Sequence, residues 1–358
     1  MSCCARRLCA LLMALTAGCA EPPQSDSARP VRSVRNDDEL RAALKDLPPG
    51  AEIVLAPGEY RGGIWLAEAS GTAGAPIVIR GADPAAAPIF TGGGSEAWHL
   101  SDCDHLILRD LVVRGYAGNG VNVDDGGSYD TPSRGIVIER VVIESTGPDG
   151  NHDALKLSGL EEFTIRDCAF RGWGGSAVDM VGCHDGLIVG CAFTGQEGFT
   201  QASGVQVKGG SARVTVSGCD FDQAGARAVN LGGSTGLQYF RPSGAGYEAA
   251  GIVVEGCRFR GSEAPIAFVG AMDCIVRGNS FAYPEKWLLR ILQETTGPEF
   301  APCQGGIFEG NRVLFDQRVN VFVNVGPGTL PETFIYRGNS WTETDATGKE
   351  VLSPRVPE

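Results

Sequence analysis

TIRDCAF (164–170), LIVGCAF (187–193), TVSGCDF (215–221), VVEGCRF (253–259) and IVRGNSF (275–281) are five copies of one pattern. Each is an apolar run of period two that leads into Gly or Asp, then Cys or Asn, one more residue, and Phe. Period-two alternation is strand chemistry, because successive side chains leave opposite faces of the pleat. With the Cys/Asn position as a mark, the same place holds Leu111, Val141, Cys168, Cys191, Cys219, Cys257, Asn279, Asn311 and Asn339. The steps are 30, 27, 23, 28, 38, 22, 32 and 28 residues, the scale of a stacked solenoid. No amphipathic helix separates the copies, so the repeat is a coil of strands.

A second strand keeps step with the first. About ten residues past each mark come GVNVD (120–124), ALKLS (154–158), AVDMV (177–181), GVQVK (204–208), AVNLG (228–232), PIAFV (265–269) and LLRIL (288–292). The inward column reads Val121, Leu155, Val178, Val205, Val229, Ile266 and Leu289. The outward column reads Asn122, Lys156, Asp179, Gln206, Asn230, Ala267 and Arg290. Parallel rungs roughly 4.8 Å apart would make nine turns a rod about 40 Å long. The fold expected is all-β, a single-stranded right-handed parallel β-helix over 34–345 with an N-terminal capping α-helix. A β-sandwich also has many short strands, but it leaves the fixed columns of Cys, Asn and Phe unexplained.

Residues 1–18 read as an export signal: Arg6 and Arg7, the apolar run Leu8–Leu15, then Thr-Ala-Gly before Cys19. This ending resembles a bacterial lipobox, which implies a lipidated Cys19 and an outer-membrane lipoprotein of the cell envelope, facing periplasm or surface; a plain cleaved signal is the alternative. Residues 19–33 read as a Pro/Ser tether and 346–358 as a frayed tail. The chain carries a net charge of −13, and losing Arg6 and Arg7 takes it to about −15. That balance argues against nucleic acid, which needs a basic footprint, and requires a local basic patch or a bridging cation if the partner is an acidic polymer. Of the 12 Cys, Cys3, Cys4, Cys9 and Cys19 belong to the signal and its end. Those of the repeat column read as buried small side chains. A monomer is expected.

Asn36–Leu47 reads as a helix, with Asn36 as N-cap, Glu39 three residues on, an apolar stripe of Leu40, Ala43, Leu44 and Leu47, and a Pro-Pro-Gly stop. Capping the first rung is its natural role. After it come LPPGAEIVLAPGEYRGGIWL (47–66) and GTAGAPIVIRGA (71–82). This opening resembles that of pectin-lyase-like β-helix proteins, nearest the chondroitinase and alginate lyase group, and with the rungs the resemblance covers about 36–340. It implies the right-handed β-helix and a polysaccharide lyase, hydrolase or epimerase. In that group a Lys on one rung is followed by an Arg-His-Gly on the next. Lys156 matches the first in kind; the next rung supplies Asp179, and no Arg-His-Gly occurs.

The central outward rungs hold the candidate chemistry. Long excursions at 125–133, 232–250 and 293–305 leave one edge, while the rungs of Lys156, Asp179 and Lys208 return quickly, so the excursions would wall a floor. Tyr129, Tyr239, Phe240, Tyr247 and Phe300 would supply aromatic faces for sugar rings. In a lyase acting on a uronate polymer, a cation neutralises the carboxylate and a base removes the adjacent proton. Lys156 is the candidate base, with Asp179 beside it in the catalytic set; Lys208 or Arg227 would neutralise charge. Asp153, Gln206, Asn230, Tyr239 and Arg241 would bind substrate, and Asp124 with Asp179 would hold Ca2+. The competing readings are a simple Lys156–Asp179 ladder pair, a non-catalytic lipoprotein that binds glycan or a partner protein, and a hydrolase using Asp179 with Asp124 or Asp153. The Gly232–Gly236 stretch imitates a nucleophile elbow but lies between strands, so it reads as a turn.

Overall fold

The computed structural model describes residues 30–352 apart from Gly93, together with Pro354 and Arg355. The signal and Cys19 lie outside the described residues. The strands pair in parallel from turn to turn, as the repeat predicted, and build a β-helix. One sheet of ten strands runs from Ile64–Ala67 to Val323–Val325. Its outward column continues in register through Trp65, His99, Asn122, Lys156, Asp179, Gln206, Asn230, Ala267, Arg290 and Asn324. Beneath it, Val121, Leu155, Val178, Val205, Val229, Ile266 and Leu289 are all buried.

The marked column is where the chain bends between two strands of each turn. The residue just before the mark has positive φ in all nine copies, from Asp110, Arg140 and Asp167 to Gly190, Gly218, Gly256, Gly278, Gly310 and Gly338. That left-handed conformation explains the Gly or Asp of the pattern. Inside the bend the Cys are free and buried. Farther along, Asn side chains cap the backbone of the preceding turn: Cys257 N–H donates to Asn279 Oδ1, Asn279 N–H to Asn311 Oδ1, and Asn311 N–H to Asn339 Oδ1, at 2.8–2.9 Å. Phe170, Phe193, Phe221, Phe259 and Phe281 stack next to the bend with centroids 4.6–5.0 Å apart.

Both ends are more ordered than their composition suggested. Val31–Val34, which begins inside the stretch read as tether (19–33), is a strand paired with Glu52–Leu55. The helix is shorter than its apolar stripe, Asp37–Ala43, with the Asn36 side chain capping Glu39 N–H. Arg32 ends it by donating to the carbonyls of Ala43, Lys45 and Asp46, groups that another helical turn would have used. Leu40 is buried, and Ala43, Leu44 and Leu47 pack against the first rungs. Within the tail expected to fray, Arg355 is fastened to the β-helix: it pairs with Glu343 and donates to the carbonyls of Val319 and Asp316.

Candidate functional site

The register brings Lys156 and Asp179 side by side on adjacent rungs. Lys156 Nζ binds Asp179 Oδ2 and lies 3.4 Å from Asp153 Oδ2, while Lys208 Nζ approaches Asp179 Oδ1 at 3.2 Å. Both carboxylates are buried. Asp153 Oδ1 accepts the Ser176 N–H at 2.7 Å, but its Oδ2 has no well-aligned donor. Burial, and then the nearby Asp179 charge, push the Asp153 carboxyl up to about 6. Burial alone would lower the Lys156 pKa, but Asp179 and Asp153 outweigh it and hold the ammonium above the usual lysine value. Two acids and two lysines thus form one cluster in which the lysines face outward and the acids lie beneath them.

Above this cluster is a cleft of about 680 Å³ lined by Lys156, Lys208, Ser158, Asp124 and Asn151, with Trp65, Tyr129 and Tyr239 among its walls. The first two long excursions form it, and Arg241 joins them. Its guanidinium donates to both oxygens of buried Asp125, at 2.6 and 2.9 Å, and lies 4.2 Å from the centre of the Tyr129 ring. Arg241, expected to bind substrate, is therefore occupied in holding one wall to the other. The third excursion does not reach the cleft. Its Phe300 packs edge-on against Phe240, which is buried, and Tyr247 lines a different depression on the flank.

Three further expectations change. Gln206 and Asn230 stand in the predicted column, but the chain after Gly232 crosses over it. A Cβ on Gly233 would come 2.5 Å from Gln206 Nε2, and Asn230 is only 2% exposed. Arg227 is drawn to Glu294 at 2.9 Å and away from Lys156. Arg290, farther along the column, donates to Asn324 and lies over the Trp287 ring.

Asp124 and Asp179 do not come together as calcium ligands. Asp124 accepts from Ser101 and from Gly126 N–H and pairs with His99 Nε2 at 2.6 Å, while Asp179 is held by the two lysines. No group of three or more acidic, His or Cys side chains converges on a metal position among the described residues. Asp124 and Asp179 are each engaged by other partners, and no step below passes through a metal cation.

The sequence reading missed Trp65, His99, Glu96 and Glu248. Trp65 and His99 extend the outward column two rungs beyond its recognised start, where WLA and HLS alternate too briefly to stand out. Glu248 is fully buried yet accepts from Gly209 N–H and from Thr235, fixing the second wall by neutral donors alone. A second depression, about 670 Å³, lies on the Phe-ladder sheet, but its exposed Arg258 and Asp220 neutralise each other.

A family model for the right-handed β-helix region matches residues 97–281 and 153–325. No curated protein matches the sequence. Among solved structures, the chain resembles an alginate lyase from Paenibacillus sp. str. FPU-7 at 19% identity and TM-score 0.54, over 87% of this chain and all of that one. It resembles the pectate lyase Pel9A at 14% identity and TM-score 0.54, over 85% and 80% of the two chains. A PL6 family alginate lyase, AlyGC, superposes at 15% identity and TM-score 0.63 over 82% of this chain, which spans only 40% of that longer protein. At these identities the likeness is one of fold. The match over more than half its length, with its unbroken parallel rungs, places this chain in the right-handed parallel β-helix family.

Proposed function

We propose that the cleft binds a uronate-containing polysaccharide and cleaves it by β-elimination. The observation that carries this is the placement of two ammonium groups, Lys156 and Lys208, on the floor of an aromatic-walled cleft in an acidic chain, each seated over buried carboxylates that hold it there. Lys208 neutralises the uronate carboxylate, which makes the adjacent C5 proton removable. The C5–H electrons form the C4=C5 double bond, the C4–O bond breaks, and the departing glycosidic oxygen takes up a proton. Lys156, kept as an ammonium by Asp179 and Asp153, supplies that proton. The base role that the sequence suggested for it needs the neutral amine, which the two carboxylates oppose. The C5 proton passes to the deprotonated phenol oxygen of Tyr129 or Tyr239 on the cleft wall, which returns it to solvent before the next turnover. The likeness in fold to alginate and pectate lyases supports the substrate class.

A second reading, a non-catalytic glycan-binding protein, is favoured by the same Lys156–Asp179 pair, which needs no substrate to explain it. Polyuronates and glycosaminoglycans, followed by ultraviolet absorbance of the unsaturated product and by calorimetric binding, separate the two. Lyase action predicts product with the wild type, with or without chelator, and none with Lys156→Ala although binding persists. Binding without product supports the second reading, and neither signal sinks both. Lipidation at Cys19 and anchoring at the outer membrane belong to the same proposal. Metabolic palmitate labelling that Cys19→Ser leaves unchanged would overturn that part.

A further inference from the structure

Trp65 is 64% exposed, although it lies on a regular strand of the β-helix. Single exposed apolar residues are ordinary, but this indole is not isolated. It lines the same cleft as Tyr129 and Tyr239, and its inner side is built. The His99 ring sits against it with centroids 4.1 Å apart. His99 is pinned at both nitrogens, Nδ1 to Glu96 at 3.1 Å and Nε2 to Asp124 at 2.6 Å. Glu96 also takes the Asn122 amide, whose oxygen accepts from Asn119 at 2.9 Å. This polar network lies on the outer face, where no apolar burial calls for it. Its effect is to fix the imidazole against which the exposed indole rests, the two rings tilted by 42°.

We infer that Trp65 is an outer sugar subsite of the cleft, stacking its indole on the C–H face of a pyranose ring while His99 supports it from behind. The inference rests on the glycan reading above and gives the bound chain a direction, along the outward column from Lys156 toward the N-terminal end. Trp65 precedes Lys156 by three rungs, roughly 14 Å at parallel-strand spacing. A disaccharide seated over the lysines stops short of the indole, whereas a hexasaccharide reaches it. An aromatic face suits this place because stacking is indifferent to charge, so the subsite grips sugar rings whose carboxylates point elsewhere. Asp124 keeps a part at the cleft, as the positioning residue that orients His99.

The test compares oligouronates of two lengths, disaccharide and hexasaccharide, by calorimetry on the wild type, Trp65→Ala and Trp65→Phe. The gain in affinity from disaccharide to hexasaccharide is expected to shrink roughly five- to tenfold in Trp65→Ala and to be largely restored in Trp65→Phe. Hexasaccharide binding should also shield an exposed tryptophan of the wild type from acrylamide quenching, a signal absent from Trp65→Phe. If the wild type binds hexasaccharide and the length-dependent gain is unchanged in Trp65→Ala, the subsite is wrong while the cleft reading stands. Equal weakening toward both lengths also overturns it, because the ring would then act on the whole cleft. If the wild type binds no oligouronate, the glycan reading itself fails and takes the subsite with it.

Discussion

Arg241 donates two hydrogen bonds to Asp125, 116 residues earlier in the chain, and so ties together the two loops that wall the cleft. The pair is buried, and breaking it from one side leaves a carboxylate without its counter-charge, typically at a loss of about 3–5 kcal/mol. Arg241→Ala is expected to lower the free energy of unfolding by that order and to speed amide exchange in 125–133 and 232–250. Floor strand Leu155–Ser158 should keep its protection. Arg241→Lys should rescue little, since a single ammonium replaces a two-pronged fork. Uniform exchange changes across the chain would refute the clamp.

Asp153 makes stability depend on pH in an unusual direction. Its carboxyl is raised to about 6, chiefly by burial and then by Asp179, while an unfolded Asp titrates near about 3.9. Between these values the folded chain holds a proton that the unfolded chain has lost, so stability falls as the pH rises from about 4 to about 6. Asp153→Asn removes this dependence and keeps an oxygen for the Ser176 N–H. Urea midpoints at several pH values should show the wild type losing ground to the variant across that window and no further above it. Parallel pH curves for the two proteins would contradict the assignment.

The Asn ladder predicts a stability difference within one column. Asn311 is buried, accepts the Asn279 N–H and donates its amide to the Val276 carbonyl. Asn311→Ala strands both backbone groups and opens a small void, for an expected loss of about 2–4 kcal/mol. Cys191→Ala, which removes only a thiol with long contacts of 3.5–3.7 Å to carbonyls, should lose about 1 kcal/mol. Chemical denaturation measures both. Equal losses would mean that the Asn side chains merely fill space.

Much of this molecule was legible because a repeat multiplies weak signals. One heptapeptide such as LIVGCAF is ambiguous, but its columns fall in register only in a β-helix, and the outward column from Asn122 to Arg290 pairs residue for residue as read. The candidate site was legible only in part. Lys156, Asp179, Lys208, Asp153 and Tyr239 are gathered at the cleft or beneath it. Gln206 and Asn230 are covered because the path of a long loop is not periodic. Arg227 and Arg241 were assigned to substrate because their acidic partners, Glu294 and Asp125, lie far away in sequence.

Local alternation, bend residues and spacing settled the coil and the rung of each side chain, because those depend on short-range backbone sterics repeated turn after turn. Which charges meet was decided in three dimensions. The Asp153–Lys156–Asp179–Lys208 cluster and the Trp65–His99 contact arise when rungs and loops of unequal length close on one another. An ion pair or a stacked ring depends on distances of a few ångströms, which sequence separation does not encode.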